Sequence, residues 1–492
     1  MVSQHAGEPS AESGAQDATE VPRRLRSAPA RTGAARRAGE FAERVADTAT
    51  RLDGVSMAVV NWRDPWQAVA GGAEEYAWQI SRQLTERGAR VTFVTSRARG
   101  QRAAEVRDGI TLRRMGATFS VYARVMVWLL LHRRRFDAVV DCMNGIPFFC
   151  PVVMPRRVPV ICVVHHVHDR QFFVHFPGWL ARFGRFLEGP VSRWVYRHQA
   201  VASVSPSTVQ AMRDRLRWRG PVSVVPNGCP SVRPLMAVTR PTEGDPAIVC
   251  VGRLVVHKRV EHVADLAAQL SGRWPRLRVH IVGRGPEYEP LLDYLAAAGL
   301  GERVRLHGFL PQAAKNSLVA TSFLHVSASQ FEGWGLSVIE AAALGVPTVA
   351  YDVDGLRDAI RHGHTGWLAH PGERLADVVG AALEEMSDPS RRAQVRKACR
   401  EWSSLFTWAE SGERMARLVA GELALDPRTR RRRVGGPAYV VQYLTDKGEC
   451  AVLVPAYDRE RTCAAVRERG DRILDVRPAT AVEMLFGRAE TP

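Results

Sequence analysis

The chain has 492 residues, 46% of them hydrophobic, which is too long for one ordinary domain and apolar enough for two or three cores. With 68 Lys and Arg against 51 Asp and Glu, the net charge is +17 at pH 7, which points to anionic partners such as nucleotide phosphates, acidic lipid or nucleic acid. The eight cysteines contain no Cys-x2-Cys pair, which argues against a zinc ribbon or a disulfide framework and fits a reducing compartment. No apolar run reaches the roughly 18 residues of a membrane span. The longest candidate, Val125 to Leu131, ends in His132-Arg133-Arg134-Arg135. The N-terminus shows no apolar signal region, so a cytoplasmic protein is expected, with peripheral contact on the inner face of a membrane left open by the charge.

Residues 1–54 are rich in Ala, Arg, Glu, Ser and Gly and read as a disordered basic tail, with a helix near Ala38 to Leu52. Order is expected to begin at Met57-Ala58-Val59-Val60-Asn61-Trp62, a buried-strand pattern. Gly71-Gly72-Ala73-Glu74 then opens a helical stretch that Gly88 closes, and Arg90 to Thr95 is the next strand. That order is a βαβ opening, and Gly71 and Gly72 would let backbone approach a ligand closely. Ile110 to Arg114, Phe136 to Cys142 and Val158 to Val164 continue as strands, with Ser120 to Arg134 helical.

The strand at Val158 runs into His165-His166-Val167-His168-Asp169-Arg170. Imidazoles at the C-terminal end of a parallel strand lie where open α/β sheets bind ligands. With no further His, Cys or Asp cluster nearby, hydrogen bonding to a substrate is favoured over a metal. Trp179 to His198 is aromatic and basic, and Gly189-Pro190 should break or kink it. It reads either as a sheet-covering helix pair or as a segment lying on a membrane surface. Val201 to Val204 and Val222 to Val225 are strands, the second ending in the turn Pro226-Asn227-Gly228.

A proline-rich linker is expected over 229–246, and a second α/β set follows. Its strands are Ala247 to Val251, Arg278 to Val282, Val304 to Leu306, Phe323 to Val326 and Thr348 to Tyr351. Helices lie between them at Val260 to Ser271, Glu287 to Ala298, Pro311 to Ala320 and Gly335 to Leu344. The first strand ends in Gly252-Arg253-Leu254, with Lys258 shortly after. A planar guanidinium and an ammonium beside a glycine turn suit a diphosphate. Gly283-Arg284-Gly285-Pro286 makes a similar tight turn.

The stretch Glu332-Gly333-Trp334-Gly335-Leu336-Ser337-Val338-Ile339-Glu340 reads as turn into helix. The amides near Gly335 to Ser337 would be free donors at the helix start and favour an anion. A carboxylate on either side suits a ligand with phosphate in the middle and hydroxyls at both ends, the layout of a nucleotide sugar. Residues 373–425 read as helices, the last from Trp408 to Leu423. After Arg428 to Arg433 a small α/β module follows, with strands at Tyr439 to Leu444, Ala451 to Val454 and Ile473 to Val476, and a helix at Arg459 to Arg469.

Taken in order, Gly71-Gly72-Ala73-Glu74, Val225-Pro226-Asn227-Gly228, Gly252-Arg253-Leu254 with Lys258, Gly283-Arg284-Gly285-Pro286, and Glu332-x7-Glu340 before Ala341-Ala342-Ala343-Leu344-Gly345-Val346-Pro347 resemble the family 4 glycosyltransferases over about residues 55–425. The resemblance implies an α/β GT-B fold: two facing Rossmann-like, doubly wound domains with a cleft between them, here with a small C-terminal α/β appendage. The domains would run 55–228 (acceptor), 247–400 (donor), 401–427 (a crossing helix that braces the first domain) and 428–492 (Arg-rich linker and accessory module).

The resemblance also implies sugar transfer from a nucleotide-sugar donor with retention and without a metal or other cofactor. Arg253 and Lys258 would bind the diphosphate and stabilise the leaving group. Glu332 would contact the donor sugar, and Glu340 the ribose. Gly333, Gly335, Leu336 and Ser337 would cradle phosphate, with Gly71, Gly72, Gly252 and Gly283 near the donor. His165 or His166 would face the reacting sugar, and His168 in the same loop keeps that choice open. The acceptor would be a glycan, a lipid-linked molecule or a small molecule. An anionic membrane is a potential contact and no nucleic acid partner is expected. The family often has glycine after the lysine, where this chain has Arg259. The competing readings are a nucleotide-sugar epimerase or sugar phosphorylase on the same fold, and a charge-driven membrane or nucleic-acid binder.

Overall fold

The strand Ser56–Val60 (β1) lies against Arg90–Thr95 (β2) on one side and Ala138–Met143 (β5) on the other, all parallel. A computed structural model describes residues 50–68, 70–229, 246–431, 438–445, 448–455, 463, 466–467, 472–479 and 483–484. Residues Thr50–Pro492 form one compact unit. Most of the expected tail and linker lie outside the described residues. The tail boundary at residue 54 is a correction: Leu52 is buried, and the Thr50 amide and hydroxyl both donate to the Glu413 carboxylate. Thr50 and Leu52 are thus held by the folded domain.

The first sheet is completed by Ala104–Arg107 (β3), Ile110–Arg114 (β4), Val160–Val164 (β6), Ala200–Ser203 (β7) and Ser223–Val224 (β8). Its order is β3-β4-β2-β1-β5-β6-β7-β8, parallel except for the β3–β4 hairpin. β5 and β6 are buried along their whole length, as strands covered on both faces must be; β6 reads as a continuous apolar run, and β5 is apolar except for the buried Asp141. β3 was not expected from the sequence, because its residues are exposed or half-buried and carry no apolar pattern.

The second sheet contains Ala247–Val251 (β9), Arg278–Val282 (β10), Val304–Gly308 (β11), Leu324–Ser327 (β12), Thr348–Tyr351 (β13) and Gly366–Ala369 (β14), in the order β11-β10-β9-β12-β13-β14. The expected helix over Val260 to Ser271 is instead two short pieces, Val260–Ala264 and Leu266–Gln269. The helix Pro389–Ser404 packs on Leu336–Ala343, so the second domain continues past the expected boundary at residue 400.

The helix Trp408–Ala424 then returns to the first domain. It packs on the helix Gly72–Glu86, where Arg87 Nε lies 3.3 Å from Glu413 Oε2 and Ser411 Oγ donates to the Pro226 carbonyl at 2.7 Å. Met415 and Val419 are fully buried in that contact, each side chain contributing about 1.5–3 kcal/mol of hydrophobic stabilisation. One apolar cluster runs from the first sheet through Trp334, Val338, Trp402 and Phe406 of the second domain, so the two domains share core. The C-terminal module has an antiparallel sheet, β16-β15-β17, from Ala438–Thr445 (β15), Gly448–Pro455 (β16) and Arg472–Pro478 (β17). Most of its expected helix, Arg459 to Arg469, lies outside the described residues.

Candidate active site

Each sheet reverses its winding at one point: β1 pairs with β2 and β5, and β9 pairs with β10 and β12. Ligands of open α/β sheets bind beyond the carboxyl ends of the strands at such points. A cavity of about 400 Å³ lies there, between the domains. Trp62, Arg63 and Asn144 enter it from the ends of β1 and β5, and Arg253 and Glu332 from the chain beyond β9 and β12.

On the second domain, a short helical turn Val256–Lys258 follows β9. The Lys258 ammonium and the Glu332 carboxylate form an ion pair at the cavity wall. Burial pushes the Glu332 carboxyl up, but the Lys258 charge and hydrogen bond, with His166 and Arg253 adding to them, outweigh it and hold the group below the usual carboxylate range. Arg259 sits at φ 45°, a left-handed conformation that strains a non-glycine residue by about 1–2 kcal/mol. Its guanidinium is held 4.6 Å over the Tyr351 ring, and its Nε donates to the Ala328 carbonyl at 3.0 Å, which offsets that strain. Arg259 thus holds the conformation that a glycine would take without strain.

The helix Leu336–Ala343 starts at Gly335, whose φ is 87°. Its first amides have no helical acceptor and lie beside the cavity, where an anion would satisfy them. Gly333, Gly335 and Leu336 line the cavity. Ser337 and Glu340 do not line it; the Glu340 carboxylate accepts from Lys315 Nζ at 2.7 Å. Gly252 and Gly283 are not among the lining residues; they lie so close together that a Cβ on Gly283 would come 1.8 Å from the Gly252 carbonyl oxygen.

From the first domain, the glycine turn meets Arg253 directly: a Cβ on Gly71 would lie 3.0 Å from Arg253 Nε. Gly72 lines the cavity. The turn is held by Glu74, which accepts from the Gly71 amide at 2.7 Å and pairs with Arg63 at 3.2 Å. Sequence reasoning missed Arg63 and the role of Glu74, although a carboxylate three residues after a helix cap is a capping-box signal.

The histidine loop reaches the cavity with His165, His166 and His168. Burial is the main cause that pushes His165 and His166 down to about 3 and His168 to about 4, so all three are neutral at pH 7. Their partners differ. His166 Nε2 is 2.6 Å from Gln171 Oε1, and His168 Nδ1 is 3.1 Å from the His166 carbonyl oxygen. His165 packs its ring edge-on against Tyr76, with centroids 5.0 Å apart, and its buried Nε2 has no hydrogen-bond partner. Beneath the loop, the His168 amide donates to Glu188, and burial raises that carboxyl to about 8.

Two family models match end to end: "Glycosyltransferase Family 4" over residues 70–232 and "Glycosyl transferases group 1" over 233–402. Together the two models span residues 70–402, and the chain is a glycosyltransferase. Among curated relatives, it is 26% identical over 293 residues to an alpha-D-kanosaminyltransferase of Streptomyces kanamyceticus, covering 55% of this chain and 74% of that one. It is 32% identical over 251 residues to a D-inositol 3-phosphate glycosyltransferase of Nocardia farcinica, covering 46% of this chain but only 54% of the relative. Two solved structures share the GT-B fold. The sucrose-phosphate synthase of Thermosynechococcus elongatus has a TM-score of 0.64 at 19% identity, covering 75% of this chain and 99% of that one. The Anabaena HepE protein in complex with UDP and glucose has a TM-score of 0.55 at 17% identity, covering 75% and 100%.

For this glycosyltransferase, Arg253, Lys258, Glu332, His165, His166, Gly72, Gly333, Gly335 and Leu336 therefore gather around one cavity. Among the described residues, no group of three or more His, Cys, Asp or Glu is placed to hold a metal ion. Phe119, Tyr122, Phe172 and Phe176 also line the cavity, an aromatic part of the wall that was not singled out from the sequence as part of the site.

Proposed function

We propose that this glycosyltransferase moves a sugar from a nucleoside-diphosphate donor to an acceptor with retention of anomeric configuration and without a metal ion. The observation that carries the reading is that Arg253, Lys258 and the helix start at Gly335 and Leu336 line one cleft. Two cations and a helix start complement a diphosphate and the charge that builds on it as the glycosidic bond breaks, which is what a divalent ion would otherwise supply. Glu332 would position the donor sugar. Its pairing with Lys258 disfavours a role as a free nucleophile, so a front-face transfer, with the leaving phosphate taking the acceptor proton, fits better than a two-carboxylate mechanism.

Of the three histidines left open by the sequence, His165 is assigned to the reacting sugar, because its Nε2 is the buried atom without a partner. The aromatic wall supplies faces against which an acceptor's apolar side would lie. Peripheral contact with an anionic membrane at the cytoplasmic face belongs to the same proposal. The described cysteines are all free thiols, which suits a reducing compartment.

The test is to screen nucleoside diphosphates for thermal stabilisation, then to incubate the matching labelled nucleotide sugar with candidate acceptors and determine the product's anomeric configuration. Transfer with retention in the presence of chelator is expected. Sugar phosphate formed from inorganic phosphate without acceptor, an epimerised donor, or inversion would overturn the reading.

A further inference from the structure

Two surface elements of the first domain leave apolar faces in solvent. The first is the helical segment from Gly178–Phe186 through a π-helical turn at Leu187–Val191 to Ser192–Val195. The expected break at Gly189-Pro190 is absorbed by that wider turn, so the segment runs on. Ala181, Gly184, Glu188 and Ser192 face inward, while Trp179, Phe183, Phe186 and Trp194 face out, Trp179 being 71% exposed. The second is the helix Ser120–His132: Val121, Val125 and Leu129 are buried, and Val127, Leu130 and Leu131 are exposed, Leu131 at 75%.

The charges on these elements have one sign. Residues 117–136 hold Arg124 and Arg133 to Arg135 and no carboxylate. Residues 170–198 hold five arginines, and their one carboxylate, Glu188, is buried. Both elements also begin at the mouth of the donor cavity, which Phe119 lines just before the first helix and Phe176 just before the second segment.

Large rings with flanking arginines on in-plane helices match the interface of a bilayer, where rings sit at the headgroup boundary and guanidinium groups meet acidic lipid. We propose that these two faces form a docking surface for an anionic lipid bilayer, with the cavity mouth held at the lipid surface so that a lipid-borne acceptor enters without leaving the membrane. The acceptor part rests on the transferase reading above; the docking part does not.

The experiment is co-sedimentation of the full chain with phosphatidylcholine vesicles and with vesicles also containing phosphatidylglycerol, at about 0.1 M and about 0.5 M salt, where screening differs strongly. Wild-type protein is compared with Trp179→Asp/Phe183→Asp and with Leu131→Asp. Partition onto the acidic vesicles should exceed that onto neutral ones by about tenfold or more and weaken in salt, and each variant should lose about tenfold. Unchanged thermal stabilisation by the nucleoside diphosphate shows that the variants are folded. Equal binding to neutral vesicles, no binding, or variants that bind like the wild type would overturn the proposal, the last assigning the affinity to the other basic segments. Concentration-dependent dimers abolished by Trp179→Asp/Phe183→Asp, without vesicle binding, would assign the face to a second copy instead. Vesicle binding without nucleotide stabilisation in the wild type would leave docking intact and sink the transferase reading.

Discussion

His175 Nε2 lies 3.3 Å from His257 Nδ1, so an imidazole of the first domain meets one of the second across the cleft. Gln171 Nε2 is 3.5 Å from the same His257 nitrogen. Burial, then the charges of Lys258 and His175, push His257 down to about 3. His165, His166 and His168 are depressed in the same way. Their unfolded values are near 6.5, so between about pH 6.5 and 3 the unfolded chain binds more protons and the fold loses stability as pH falls. Glu188 has the opposite sign: its folded value near 8 lies above its unfolded one of about 4.3, so its contribution is present below about pH 4.3, falls as pH rises between the two values, and is gone above about 8. Thermal unfolding against pH should therefore show an acid arm that is shallower in His257→Gln, by at most about 1.4 kcal/mol per pH unit, while Glu188→Gln should remove a loss of stability with rising pH that ends near pH 8. Parallel wild-type and variant curves would show that these groups are not the cause.

Lys258 touches Glu332, so its removal has two separable consequences. One is a carboxylate left without its ammonium partner; the other is lost charge at the leaving phosphate. Lys258→Ala should lower kcat/KM by about 10²–10³, the scale of removing one transition-state donor. The double variant Lys258→Ala/Glu332→Gln should recover thermal stability but stay slow. Recovery of both would mean that Lys258 merely neutralises Glu332.

Much of this architecture was legible because it rests on local signals. β6 and β9 are apolar runs ending at glycines or polar turns, β5 is one broken only by Asp141, and the Glu332 loop couples a turn to a strong helix. Edge strand β3 has no buried residue to produce a pattern, and β14 has only four residues. The helix after Lys258 looked continuous, yet it divides at Asp265. Within the site, contacts between distant segments were beyond reach: Glu340 meets Lys315, 25 positions away, and Gln171 meets His257, 86 away. The three histidines looked equivalent in sequence because their difference lies in which ring nitrogen already has a partner.

Gly333 and Gly252 were both expected near the donor, and their surroundings separate fold from ligand. A Cβ on Gly333 would lie 2.1 Å from the His165 carbonyl oxygen, a backbone atom that cannot swing away. Gly333→Ala should cost about 1–3 kcal/mol through forced backbone movement and lower Tm and activity together. A Cβ on Gly252 would meet nothing within 4 Å. Gly252→Ala should leave Tm within about a degree or two, since surface changes away from packing are near neutral. Any rise in donor KM then measures how closely the ligand approaches that turn. A large Tm loss in Gly252→Ala would contradict this separation.

Glu340 is the residue whose expected role is hardest to reconcile with where it lies. It sits on the helix whose start borders the cavity, but its carboxylate is turned to Lys315 rather than to the cavity. If it holds the donor ribose, the carboxylate must accept from hydroxyls while keeping or releasing the ammonium. Glu340→Gln should then raise the donor KM about tenfold with kcat little changed, the pattern of lost ground-state binding, since a charged acceptor for a hydroxyl contributes about 1.5–3 kcal/mol. Lys315→Met should leave KM within about twofold, because the carboxylate remains available to the ribose. Steady-state kinetics and Tm of both variants distinguish this from a purely structural pair. Equal Tm losses in the two, with no change in KM, would show that Glu340 serves Lys315 alone.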